Sequence, residues 1–85
     1  MAKPGVETDI PNLGVVVSVR GSVVDVRFEA NLPPIHNMLQ ADEGRILIEV
    51  LAQRDPKHVR AIALTPTQGL ARGMTVTDTG GPLKA

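Results

Sequence analysis

Eighty-five residues allow one small domain, and area scaling gives it roughly 63% of its surface to bury, too little for a nucleotide-binding α/β domain. Nine basic residues cancel nine acidic ones, so the chain as a whole carries no basic field for nucleic acid or an acidic membrane surface. Cysteine is absent and Phe28 is the only aromatic residue, which excludes disulfides, thiolate chemistry, cysteine zinc sites and base-stacking platforms.

Residues 1–12 carry Pro4, Gly5, Asp9, Pro11 and Asn12 with few apolar groups between them, and are expected to form a flexible tail. This tail has no apolar run of secretory type and no Arg-rich or Ser-rich transit character. A soluble bacterial protein on the cytoplasmic side is the expectation. From Leu13 the chain turns β-branched. Val, Ile and Leu make up 24 residues, and Val is the commonest, which favours pleated strands.

Leu13, Val15, Val17 and Val19 alternate with Gly14, Val16, Ser18 and Arg20, predicting a first strand with the valines at odd positions turned inward. Gly21 ends it at a turn. Val24, Val26 and Phe28 then share one face, and Asp25, Arg27 and Glu29 share a solvated, ion-paired outer face. Asn31, Pro33, Pro34, Asn37 and Asp42-Glu43-Gly44 interrupt the next stretch, with a short strand around Asn37–Gln40 inside it. Arg45–Gln53 is a further strand with Ile46, Ile48 and Val50 on one side and Leu47, Glu49 and Leu51 on the other. Arg54-Asp55-Pro56-Lys57 is a turn of hairpin length. Val59–Leu64 returns, Thr65–Gly69 breaks it, and Met74–Thr79 is the last strand before Gly80-Gly81-Pro82.

Short strands with Gly and Pro between them, and no helical period, predict an all-β protein: a small closed six-stranded antiparallel β-barrel over residues 13–83. Closure is favoured because an open sheet this size would leave two apolar edges.

The chemistry-bearing residues do not assemble into a site. His36 and His58 lack a cysteine or a nearby second histidine to complete a metal shell. Asp25 and Glu29 would lie about 13 Å apart along a strand, too far for a glycosidase pair. Ser18, Ser22 and the six threonines occupy no nucleophile elbow. Gly69-Leu70-Ala71-Arg72-Gly73 and Gly80-Gly81-Pro82-Leu83-Lys84 read as turns, since no Gly-Lys-Ser or Gly-Lys-Thr occurs. No catalytic, cofactor-binding or metal residue is therefore assigned. One surplus remains. Val16, Val23, Leu47, Leu51, Ile62 and Leu64 fall opposite or beside the faces that fill a barrel, and apolar residues on a second face want a partner.

The segment Gly14-Val15-Val16-Val17-Ser18-Val19-Arg20-Gly21-Ser22-Val23-Val24-Asp25-Val26-Arg27-Phe28 resembles the opening of the β subunit of F-type rotary ATP synthases. So do Leu32-Pro33-Pro34-Ile35, Ile48-Glu49-Val50, Val59–Leu64, Thr67-Gln68-Gly69-Leu70-Ala71-Arg72-Gly73 and Asp78–Leu83, in that order. The resemblance implies a six-stranded barrel that joins the barrels of α and β subunits in a crown holding a catalytic hexamer together. It implies partners among α and neighbouring β subunits, with no nucleic acid and no direct membrane contact. The location implied is a peripheral complex on the cytoplasmic side of the bacterial inner membrane. It also implies ATP or ADP and Mg²⁺ sites in a nucleotide-binding domain beyond Ala85, with residues 84–85 starting the linker to it; none of those sites maps onto this sequence. Arg20, Thr65-Pro66 and Gly81-Pro82-Leu83 depart from the family pattern, as in a divergent subfamily. The rival reading is a stand-alone oligonucleotide-binding-type barrel, which wants a basic groove with aromatics.

Overall fold

The computed structural model describes residues 12–82. Residues 1–11 of the tail expected over 1–12, and the linker expected at residues 84–85, lie outside the described residues, as does Leu83. Asn12, assigned to the tail from sequence, instead opens the first strand.

Six strands form a closed barrel: β1 (Asn12–Arg20), β2 (Val23–Phe28), β3 (Asn37–Ala41), β4 (Ile46–Asp55), β5 (His58–Ala63) and β6 (Thr75–Pro82). Their order around the barrel is β1-β2-β5-β4-β3-β6, and every neighbouring pair is antiparallel. Closure removes the free edges on which sheets aggregate. All six strands coincide with runs expected from sequence.

The interior is built by side chains facing across the ladders. Val26 lies opposite Val16 and Val59, Val24 opposite Val19 and Ala61, and Ile48 opposite Leu39 and Ala63. Val16, Val24, Val26, Phe28, Leu39, Ile48, Val50, Val59, Ala61 and Val76 are all essentially inaccessible. Removing a side chain such as Val or Leu from water stabilises a fold by about 1.5–3 kcal/mol, so this ring of branched residues is the main favourable contribution. Leu70 from the connection after β5, and Leu32 from the connection after β2, pack against the same core.

The first strand departs from a strict period of two. Val16 pairs with Val26 and Ser18 with Asp25, leaving Val17 as an extra residue in a bulge. Gly14 and Val16 therefore point inward before the bulge and Val19 after it, while Leu13 and Val15 are half exposed. The inward odd-numbered face expected from sequence is corrected accordingly, and Val16 moves from the outer surface to the core. Sterics explain the choice. A Cβ on Gly14 would approach Phe28 Cζ to 2.7 Å and Val26 Cγ1 to 2.8 Å, so only glycine admits the Phe28 ring beside the β1 backbone.

Candidate functional site

Among the described residues, no group of three or more His, Cys, Asp or Glu side chains is placed to hold a metal ion. None of their buried side-chain nitrogen or oxygen atoms lacks a hydrogen-bond partner. Phe28 is in the core, so the aromatic platform of an oligonucleotide-binding face is missing.

The structure accounts for each chemistry-bearing residue in local terms. His36 Nδ1 meets Glu49 Oε2 at 2.9 Å, and His58 Nδ1 meets Asp55 Oδ1 at 2.8 Å. The two histidines serve separate rim contacts. Gly69 and Gly73 take the left-handed backbone of turns, and Ser22 sits exposed in the β1–β2 turn. Gly80, read from sequence as part of a turn, instead lies at a positive φ of 89° inside β6, which runs on to Pro82. The Lys57 ammonium, which donates to Glu29, and the Arg27 guanidinium paired with it together hold its carboxyl below the usual range. The backbone N–H of Lys57 and the His58 ring hold Asp55 down likewise.

Asp25 is the exception to the solvated outer face expected of it. Its side chain is only 7% exposed. Ser18 Oγ on β1 donates to Oδ2 at 2.8 Å, Arg60 Nε on β5 donates to Oδ1 at 3.2 Å, and Arg54 Nη1 on β4 lies 3.8 Å from the same oxygen. Burial pushes this carboxyl up, but the Ser18 and Arg60 hydrogen bonds and the two nearby guanidinium charges outweigh it, and the pKa falls below 3.8. One carboxylate thereby laces four consecutive strands. Sequence alone gave the correct face for Asp25; the cross-strand arginines that cover it are a property of register and were missed.

The remaining feature is the outer surface. At the β6–β1 seam, Leu13 and Val15 are 50% and 44% exposed and stand opposite Thr77 and Thr75. At the β5–β4 seam, Ile62 faces Val23 on one side and Glu49 on the other. Leu47 shares that face, and the backbone N–H of Leu64, just past β5, donates to the Leu47 carbonyl. Leu64 and Leu51 there are 44% and 43% exposed. In a cycle of six strands these two seams are diametrically opposed, with β2 and β3 between them. Of the six apolar residues expected on a second face, Val23, Leu47, Leu51, Ile62 and Leu64 do lie outward and partly exposed. The barrel thus presents two unlike apolar walls on opposite sides, a geometry suited to contact with two neighbours at once.

Comparison with known proteins bears directly on this geometry. Residues 16–80 match the family described as the ATP synthase alpha/beta family, beta-barrel domain. The whole chain is 76% identical over 85 residues to ATP synthase subunit beta 2 of Polaromonas naphthalenivorans, covering 18% of that protein. Over 81 residues, 95% of the chain, it is 73% identical to ATP synthase subunit beta 2 of Albidiferax ferrireducens, covering 16% of it. It is also 65% identical over 85 residues, the whole chain, to ATP synthase subunit beta 1 of Psychromonas ingrahamii, covering 18% of that protein. The chain therefore spans less than a fifth of the length of these curated relatives.

Proposed function

The chain belongs to the ATP synthase alpha/beta family as its β-barrel domain, and on that premise we propose that it is the N-terminal assembly domain of a β-type subunit in a rotary, ion-translocating ATP synthase. Its task is to pack side by side with the barrels of α and neighbouring β subunits and so hold the hexamer together. The observation that carries this reading is the pair of apolar walls on opposite sides of a closed barrel. A subunit within a ring needs two different contact faces, whereas a two-fold dimer needs only one.

On this reading the barrel itself performs no catalysis, and ATP, ADP and Mg²⁺ are handled by other parts of the larger subunits. It acts within a peripheral complex on the cytoplasmic side of the bacterial inner membrane, touching neither nucleic acid nor lipid directly. Among the described residues no helix is long and apolar enough to cross a membrane.

The test is reconstitution. The chain is mixed with ATP synthase α subunits and with subunit beta 2 of P. naphthalenivorans, and the products are resolved by size-exclusion chromatography with light scattering. Co-elution with these subunits at increased mass is the expected result, with no ATP hydrolysis by the chain alone. A chain that remains alone at tens of micromolar, or that hydrolyses ATP unaided, would overturn the proposal.

A further inference from the structure

We propose that the β5–β4 wall receives a neighbouring protein chain that presents an acidic side chain to Arg54 and Arg60. This deepens the assembly reading and rests on it, because it states the chemistry of the partner at one of the two walls.

Two guanidiniums converge on Asp25 Oδ1, at 3.2 Å from Arg60 Nε and 3.8 Å from Arg54 Nη1, while the other carboxylate oxygen accepts from Ser18. One negative charge set against two positive ones leaves this patch with one positive charge. The neighbouring acids have partners of their own: Glu29 pairs with Lys57 and Arg27, while Asp55 and Glu49 hydrogen-bond the rings of His58 and His36, which cancel their charge only when protonated. Among the described residues, the Arg60 side chain donates only through Nε and the Arg54 guanidinium makes no hydrogen bond. Their side chains are 39% and 50% exposed, so N–H groups able to form a forked pair with a second carboxylate remain in reach of solvent.

Position supplies the second part. Arg60 and Ile62 occupy the same outer face of β5, two residues apart, with Ile62 between Val23 and Glu49. Arg60 lies opposite Ala52, and Leu51 is half exposed beside it. A guanidinium pair at the margin of an apolar wall loses its hydration when that wall is covered. Covering it is favourable only if the arriving surface brings a counter-charge. A protein surface that is apolar with one carboxylate at its margin meets both requirements. A nucleic-acid phosphate meets only the second, in a chain of zero net charge whose only aromatic is buried.

The experiment measures Kd between the chain and the reconstituted α and beta 2 subunits of P. naphthalenivorans at 20 mM and 300 mM NaCl, with a 15-nucleotide single-stranded DNA as a second probe. Arg54→Gln is the main variant, since Asp25 keeps its Ser18 and Arg60 hydrogen bonds without it. Its melting temperature is measured alongside, to show that the barrel is intact. The expected result is binding weakened roughly 5- to 20-fold at low salt, with a shallower salt dependence. Arg60→Lys, which keeps the charge, should weaken binding less, and Arg45→Gln on the β3–β4 turn should leave it unchanged. If the wild-type chain binds but Arg54→Gln alters neither Kd nor salt slope, the acidic-partner inference fails and the assembly reading stands. If the wild-type chain binds no subunit, both fail. Arg54-dependent binding of the DNA without binding of the subunits would also overturn the inference, in favour of phosphate recognition.

Discussion

Asp25 shows how much one side chain can hold in a barrel this small. It is an outer-face residue by parity, yet it is buried by the arginines that reach over it from β5 and β4. Its folded pKa lies below the unfolded value near 3.8. The stabilisation it contributes is therefore complete above that value and is lost as the pH falls through the folded pKa. Asp25→Asn should lower stability at pH 7 by about 1–3 kcal/mol, less than a fully buried pair would lose because the arginines are half exposed. The variant should also show a flatter loss of stability between pH 4 and pH 2. Urea midpoints at pH 7 and pH 3 check both points, and equal midpoints at pH 7 would refute the role. Gly14 makes the complementary case. There the absence of a side chain is what lets the Phe28 ring lie against the β1 backbone.

At the scale of elements, strand positions were legible from sequence because β-branched runs broken by Gly, Pro and Asp leave little choice. The inward face was legible for β2 and for Ile46–Val50 of β4, where alternation is unbroken because the irregularities of β4 fall beyond Val50, and was misread for the first half of β1. A period of two cannot register a bulge, and the extra Val17 converts an apparently continuous odd-numbered face into Gly14 and Val16 before it and Val19 after it. Of the candidate surface, the apolar surplus on β4 and β5 was legible residue by residue. Leu13 and Val15 were not, since their exposure follows from the same bulge. The β3–β4 connection shows a second local constraint. Asp42 and Glu43 both adopt left-handed backbone, at φ of 53° and 56°, and Gly44 follows at 89°. Glu43 is exposed, so substitutions there probe the backbone alone. Glu43→Asn should be neutral within about 0.5 kcal/mol, whereas Glu43→Ile should cost about 1–2 kcal/mol, as measured by thermal or urea unfolding. Equal stability of the two variants would show that the turn relaxes out of this conformation.

For the whole molecule, the unlike walls make a prediction about stoichiometry. Leu13 and Leu64 are each about half exposed, so Leu13→Asp and Leu64→Asp should block one wall apiece and leave the barrel folded. Each single variant is expected to join one neighbour and stop there, and the double variant to remain monomeric among α and β subunits. Sedimentation velocity distinguishes these products, and a single variant that assembles as the wild type does would remove its wall from the contact scheme. The closed strand order has a mechanical consequence as well. Asn12 and Pro82 lie at the same end of the barrel, on adjacent antiparallel strands, with Asn12 opposite Asp78 and Asn37 opposite Pro82. Tension delivered through these two points would act across the β1–β6 ladder from one end, opening its bonds one after another instead of shearing them together. The first side-chain contact to bear the load would be the Asn12 amide that donates to the Asp78 carboxylate, a group held from the β3 side by the Asn37 amide. Along that direction the barrel is a zipper with a polar clasp, and its resistance to pulling depends on neighbours that keep the seam from parting.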